Sequence, residues 1–96
     1  MLLSTEINLP DTVPYFLWDE PMTVAELRER LSSASKHEQS RLLGKILREA
    51  RDTDVWQFTT PDELISVWDS VERHLGRRRQ FWQFLIREWQ ELGLVG

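Results

Sequence analysis

The residues best suited to chemistry in this sequence lie between positions 76 and 90, which read GRRRQFWQFLIREWQ. Three consecutive arginines precede a run that contains two tryptophans and two phenylalanines. Arginine binds phosphate and carboxylate groups through its planar guanidinium, and aromatic side chains stack on nucleobases or anchor protein interfaces. The stretch therefore indicates a nucleic-acid surface, a protein-binding face, or the last helix of a core with charged residues at its entrance.

A second basic stripe is predicted on the second helix, opposite the apolar residues of that helix. Two such stripes would suit the phosphate backbone of a nucleic acid. Against this, the chain has a net charge of −4, and residues 52–72 hold six acids and no base. Nucleic-acid-binding domains usually carry a basic footprint overall, so we prefer a protein-interaction module and keep a nucleic-acid-binding regulator as the alternative. The stripe consists of Arg41, Lys45, Arg48 and Arg51.

Catalytic and metal-binding patterns are not found in the sequence. Cysteine is absent, and neither His37 nor His74, the two histidines, has a ligand or nucleophile at a useful spacing. No HExxH, Walker or GxSxG motif occurs. The carboxylate pairs Asp19-Glu20 and Asp62-Glu63 are explained by a turn and by helix capping. We therefore expect a chain without enzymatic activity, cofactor or metal.

Helices are the elements that would position these residues, because the sequence contains three capping boxes. A capping box pairs a Ser or Thr N-cap with a Glu three residues later, and it occurs at Thr23–Glu26, Ser35–Glu38 and Thr60–Glu63. Each box leads into apolar residues at helical spacing. We predict helices over residues 24–33, 36–51, 61–75 and 78–92, with Gly76 and Gly93 as the ends of the last two helices. Residues 54–58 should form a short turn or 3-10 segment that packs Val55, Trp56 and Phe58 on the core.

The first 21 residues are predicted to form an extended arm, because they contain three of the four prolines. Proline disfavours helix at the residue that precedes it. The apolar run Val13–Trp18 should pack on the helical body, with a mobile partner-binding arm as the alternative. The predicted fold is all-α: a compact bundle of about four helices over residues 22–96, with an extended apolar N-terminal arm over residues 1–21.

The last helix is predicted to bury most of its aromatic residues. Phe84 falls on the polar side, the one aromatic residue there that periodicity leaves outside the core. The arginines at 77–79 lie at the helix N-terminus, where the dipole disfavours each cation by about 0.3–1 kcal/mol. An anion should therefore be close: the acidic block 52–72, a phosphate backbone or an acidic partner. The predicted core stripe comprises Phe81, Trp82, Leu85, Ile86, Trp89 and Leu92.

The predicted partner-binding patch consists of residues that remain once core periodicity is satisfied. Arginine and exposed aromatic residues are enriched at the energetic centres of interfaces. The competing interpretation is a solvated face whose charges complement the acidic third helix. The patch comprises Arg77, Arg79 and Phe84, together with Arg41, Lys45, Arg48 and Arg51.

Several segments of the chain form a recognisable combination. They are PYFLWD at 14–19, RLLGKILREAR at 41–51 followed by DVW at 54–56, then Thr59, Leu64 and an arginine-rich last helix with Trp89. In these segments the chain resembles a family of small, largely uncharacterised bacterial helical proteins found beside nucleotidyltransferase-type toxins of abortive-infection systems. The resemblance covers residues 14–89, with a departure from the family pattern after residue 64. It implies an antitoxin-like or accessory partner protein, with no catalytic residues to carry over.

The expected location is cytoplasmic. The N-terminus lacks the basic region of a secretory signal, and no apolar run approaches the ~20 residues of a membrane helix. We therefore expect a protein partner and no membrane association, and we leave self-association open.

Overall fold

The structure, a computed structural model, describes residues 3–33 and 35–94; positions 1, 2, 34, 95 and 96 of the predicted arm and domain lie outside it. The described chain is mostly helical, as predicted, but it has five α-helices and a two-stranded sheet. Short 3-10 turns occur at Tyr15–Leu17, Glu72–His74 and Gly76–Arg78. The main elements are β1 Leu3–Ser4, β2 Val13–Pro14, α1 Val24–Ser33, α2 Lys36–Glu49, α3 Asp52–Val55, α4 Pro61–Val71 and α5 Arg79–Glu91.

The N-terminal arm folds back on itself instead of being simply extended. Its strands β1 and β2 pair in parallel, and the Thr12 hydroxyl closes the intervening loop by donating to the Glu6 carbonyl at 2.9 Å. The expected packing on the helical body is confirmed for Phe16 and Leu17, which are buried, whereas Trp18 is exposed. The arm is thus a folded part of the structure, and its apolar residues complete the helical core.

The three predicted capping boxes form at the starts of α1, α2 and α4. The N–H groups of Glu26, Glu38 and Glu63 each donate to the N-cap hydroxyl three residues earlier, at 3.2 Å in every case. In the first box Thr23 returns the bond, its N–H donating to Glu26 Oε1 at 3.2 Å. In the third, the Glu63 carboxylate accepts from the Thr59 hydroxyl at 3.3 Å. These local bonds explain why the helix starts were predictable.

Two predicted helix ends are wrong, by two residues and by four. Helix α2 ends at Glu49 because Ala50 adopts extended backbone. Residues 56–58 of the predicted turn do form a turn, whereas residues 54–55 belong to the short helix α3. Helix α4 ends at Val71, and the chain continues through 3-10 turns to Gly76, whose φ of 54° turns the chain toward α5. This tightening places the residues 72–78 against α2.

The end of α5 agrees with the prediction. Gly93 has a φ of 71°, a conformation that glycine adopts without strain. Its N–H donates to the Gln90 carbonyl at 3.2 Å, and the Leu94 N–H donates to the Trp89 carbonyl at 2.9 Å. These two bonds form a Schellman motif, which satisfies carbonyls that the helix end would leave unpaired.

A single core joins the arm, α1, α2, α4 and α5. Trp82 of α5 is fully buried within it, and its indole N–H donates to the Leu47 carbonyl at 2.9 Å. Leu47 lies in the last turn of α2, where carbonyls lack an intrahelical donor. The indole therefore satisfies a backbone group that would otherwise be buried without a partner.

Gly44 marks a close approach between α2 and the turn that precedes α5. A Cβ atom added at Gly44 would lie 2.4 Å from the Cβ of His74. Real side chains do not pack at this distance, so glycine is required here by space.

Replacement of Gly44 by Ala should destabilise the protein. Helix propensity alone would favour alanine by about 1 kcal/mol, but the overlap with His74 forces the turn away, and overpacking typically costs about 1–3 kcal/mol. We expect a lower urea midpoint for Gly44→Ala. The matched control is Gln83→Ala on the exposed side of α5, which should stay within about 0.5 kcal/mol of wild type. Equal midpoints for Gly44→Ala and wild type would contradict the close-packing account.

Candidate functional site

The basic stripe of α2 is partly covered by the arm. Arg41 donates to both carboxylate oxygens of Glu20, at 2.9 and 2.6 Å, and also contacts Glu38 at 2.5 Å. Lys45 pairs with Asp19 and lies 3.3 Å from Glu20. Only 4% of Lys45 is exposed, so the predicted placement of this residue on a polar face is wrong. The acidic turn that follows the arm's apolar run covers it.

Glu20 and Arg41 form a bidentate ion pair between the arm and α2. Hydrogen bonds from Arg41, supported by Lys45, lower the pKa of Glu20 to about 2. Glu20 and Glu38 in turn raise the pKa of Arg41. A bidentate guanidinium–carboxylate pair is both stronger and more directional than a single contact. These two cations of α2 are therefore engaged in holding the arm.

Arg48 and Arg51 also serve internal contacts. Arg48 donates to the His74 carbonyl at 2.9 Å, which ties α2 to the turn before α5. The Arg51 guanidinium lies 5.4 Å from the centre of the Tyr15 ring, and its backbone N–H donates to the Tyr15 hydroxyl at 2.7 Å. That hydroxyl donates to Asp54 at 2.5 Å, and burial raises the pKa of Tyr15. The predicted role of all four α2 residues in partner binding stays a prediction.

The three arginines before α5 divide into two kinds. Arg78 pairs with Asp52, and Arg79 lies 3.4 Å from Glu72, so the acidic block supplies the anions expected beside these cations. Arg77 is exposed and has no ion pair among the residues that the structure describes. Arg77 is therefore the least engaged of the three within the described residues, and Arg79, whose side chain is 54% exposed, also remains accessible.

The apolar stripe of α5 does not face the core squarely. Trp82 and Ile86 are buried, but Phe81 is 37% exposed and Leu92 is 68% exposed. At about 100° per residue, the buried centre is rotated by about 50° from the middle of the predicted stripe. The prediction of Phe81 and Leu92 as core residues is therefore wrong. The bond from Trp82 to Leu47 explains the rotation, because it fixes which side of α5 turns inward.

An aromatic cluster connects α5 to the end of α3. Trp56 lies 5.8 Å from Trp82 and 5.7 Å from Trp89 between ring centres, and Phe81 lies 5.3 Å from Trp82. These edge-to-face contacts are favourable beyond the area that they bury. Trp56 was expected in the core but is 37% exposed, because Trp82 already fills the space beneath it. The cluster thus runs from the core to the surface.

Phe84 confirms its predicted exposure and adjoins the open edge of the stripe. It is 56% exposed and follows Phe81 by three residues, a spacing that makes neighbours on a helix. At about 100° per residue, Phe81, Phe84 and Leu92 lie within an arc of about 80°, which also contains Glu88. We call these three residues the α5 apolar face. Helical periodicity did not predict this face, because it assigned Phe81 and Leu92 to the core. The predicted stripe is wider than a small core can cover, and this width was the signal in the sequence that part of the stripe would be exposed.

The rings of His37 and His74 lie close together. Their ring centres lie 6.4 Å apart, and the buried Nε2 of His74 has no hydrogen-bond partner within the described chain. Burial, followed by the charges of Arg73 and His37, lowers the pKa of His74. Nowhere in residues 3–33 and 35–94 do three or more His, Cys, Asp or Glu side chains converge as metal ligands.

Comparison with known proteins gives no relative. The chain matches no family model, no curated protein and no solved structure. None of the helices in the described part of the chain has the length and apolar character needed to cross a membrane.

Glu20→Gln should destabilise the protein in a pH-dependent way. The folded-state pKa of about 2 lies below the ordinary value of 4.5, so the carboxylate stabilises the fold above pH 4.5 and loses this effect as the pH falls toward 2. The shift corresponds to at most about 3 kcal/mol, and solvent screening reduces it. Urea midpoints of both proteins should differ at pH 7 and converge near pH 2. Glu29→Gln, on the exposed side of α1, is the control. If the urea midpoints of wild type and Glu20→Gln differed by the same amount at pH 7 and pH 2, the proposed stabilisation by the ionised Glu20 would be contradicted.

Charge reversal should separate Arg78 from Arg77. The Arg78 guanidinium lies 4.7 Å from the Phe81 ring and 5.9 Å from the Trp82 ring, besides pairing with Asp52. We expect Arg78→Glu to lose about 1–2 kcal/mol, and Arg77→Glu to stay within about 0.5 kcal/mol of wild type. Thermal melts of the two variants test this. Equal losses would place Arg77 in the fold and remove it from the surface available to a partner.

Proposed function

We propose that this chain is a non-enzymatic protein-interaction module and that its partner docks on the α5 apolar face. The observation that carries the proposal is the exposure of Phe81, Phe84 and Leu92 along one side of a helix whose other side enters the core. Grouped large apolar side chains on a surface mark sites of protein association. Aromatic anchors are well suited to this because they bury much area and lose few rotamers.

An amphipathic helix of another protein is the partner that suits this face. Such a helix presents aliphatic residues at spacings of three and four, which can pack along Phe81, Phe84 and Leu92. Arg77 lies one turn before Phe81, and it is exposed. An acidic residue at the matching end of the partner helix would pair with Arg77. The proposed partner helix is therefore apolar in its centre and acidic at one end.

We further propose an antitoxin-like role, with a nucleotidyltransferase-type toxin as the protein that carries this helix. Support for this comes from the resemblance over residues 14–89. Part of the resembling sequence, such as Tyr15 and Arg41, makes internal contacts. The resemblance therefore supports the proposed biological role, and the α5 apolar face supports the proposed contact surface.

Nucleic-acid binding through the two basic stripes has less support. Affinity for nucleic acid comes largely from cations that neutralise phosphates. Arg41 and Lys45 are already paired with the carboxylates of the arm, and Arg78 and Arg79 are paired with the acidic block. A regulator of this kind would have to exchange internal ion pairs for phosphate contacts.

Binding to a purified nucleotidyltransferase-type toxin from the same genome tests the proposal. We expect Phe84→Glu and Leu92→Glu each to raise the dissociation constant by at least about tenfold, because a carboxylate would be buried against apolar residues of the partner. Leu9→Glu is the matched control, since Leu9 is 43% exposed on the arm and lies outside the α5 apolar face. Isothermal titration calorimetry measures all three variants, and thermal melts check that each is folded.

Two results would overturn different parts of the proposal. Failure of such a toxin to bind would reject the antitoxin-like role. Binding that Phe84→Glu, Leu92→Glu and Leu9→Glu affect equally would reject the α5 apolar face as the contact surface. Tight binding to duplex DNA that falls steeply with salt would favour the nucleic-acid alternative.

A further inference from the structure

A groove of about 350 Å³ opens between α2 and α4. Its lining comes from the end of α1, the first two turns of α2, the segment 58–59 and one side of α4. Small-molecule sites in proteins usually have volumes of about 300–1,000 Å³, so this groove suits a small ligand. Helix α5 does not contribute to it, which makes the groove independent of the proposed protein contact.

The groove carries one charge of each sign on opposite walls. Lys36 projects from the first turn of α2 and Glu63 from the first turn of α4. Lys36 has no ion pair within the part of the chain that the structure describes, and it lies at a helix N-terminus, where a cation is disfavoured. A bound anion would be stabilised there by both the ammonium group and the helix dipole.

Glu63 provides the complementary end. Its carboxylate accepts from the Thr59 hydroxyl at 3.3 Å, a neutral donor, and it has no ion pair within the residues that the structure describes. A ligand ammonium group could therefore bind the Glu63 carboxylate, whose full charge exceeds the partial positive charge of the α4 N-terminus, while a ligand carboxylate binds at Lys36. A ligand with charges of a single sign would be repelled at one wall.

Between the charges the groove is amphipathic. Its floor contains Leu43 and Phe58, which are buried and half-buried, and Val67 adds apolar surface from α4. Hydroxyl groups of Ser40 and Thr59 belong to residues that are each only 7% exposed. Buried hydroxyl groups beside an apolar floor can bond the amides of a ligand whose side chain rests on that floor.

We propose that this groove binds a small zwitterion with an apolar body, the chemistry of a di- or tripeptide with a hydrophobic side chain. The carboxylate binds Lys36, the ammonium group binds Glu63, and the side chain contacts Leu43 and Phe58. Fatty acids lack the ammonium group, and polyamines lack the carboxylate. Inorganic phosphate would meet Lys36 without filling the apolar floor.

Titration of the full chain with the tripeptide Ala-Leu-Ala, followed by amide NMR shifts, tests the proposal. We expect saturable shifts at residues of the groove, with a dissociation constant near or below about 1 mM. N-acetylation of the peptide and amidation of its C-terminus should each weaken binding by about tenfold. Lys36→Gln should weaken binding of the free peptide but leave binding of the amidated peptide unchanged. Glu63→Gln should weaken binding of the free peptide but leave binding of the acetylated peptide unchanged.

The pairing of protein and ligand charges makes the outcome decisive. The proposal would be overturned if the NMR shifts did not saturate at peptide concentrations up to about 10 mM. A dissociation constant above that value corresponds to a binding free energy smaller in magnitude than about 3 kcal/mol. Equal affinity for the free, acetylated and amidated peptides, a comparison that needs no protein variant, would also overturn the proposal. Phe84→Glu is the matched control and should leave peptide binding unchanged, because Phe84 belongs to α5.

Discussion

The last turn of α2 is the point on which the rest of the structure depends. There the Leu47 carbonyl accepts from the Trp82 indole, and the Arg51 N–H donates to the Tyr15 hydroxyl. In a longer helix these two backbone groups would have bonded each other, since they are four residues apart. Because α2 stops at Glu49, one group is satisfied by α5 and the other by the arm. A single helix end thus joins the two outer parts of the molecule.

Ion pairs join parts of the fold that are distant in the sequence. Carboxylates of the arm pair with cations of α2, and carboxylates at the two ends of the acidic block pair with Arg78 and Arg79. Within the described residues, ion pairs involve five of the twelve Lys and Arg side chains and six of the sixteen Asp and Glu side chains. Most charged side chains therefore remain on the surface around the α5 apolar face, where a partner would meet them together with the exposed apolar residues.

The features that local chemistry determines could be read from the sequence, and those that depend on distant contacts could not. The N-caps at Thr23, Ser35 and Thr60 were predictable because each bond spans three residues. The exposure of Phe84 was predictable from helical spacing. The rotation of α5 was not, because it depends on a bond between residues 35 positions apart. Periodicity likewise placed Lys45 on a polar face, since it contains no information about what another segment lays over that face.

The docking of the arm has a consequence for how the chain is synthesised. The arm leaves the ribosome before the residues that it contacts: Glu20 pairs with Arg41, and Tyr15 bonds Asp54, which is 39 positions further along the chain. At a translation rate of roughly 5–20 residues per second, this delay lasts roughly 2–8 seconds. During that interval Phe16 and Leu17 have no core to enter, and they present an apolar segment to the surroundings. Chaperones that bind short aromatic segments could therefore bind the nascent chain, even though Phe16 and Leu17 are both buried in the folded protein.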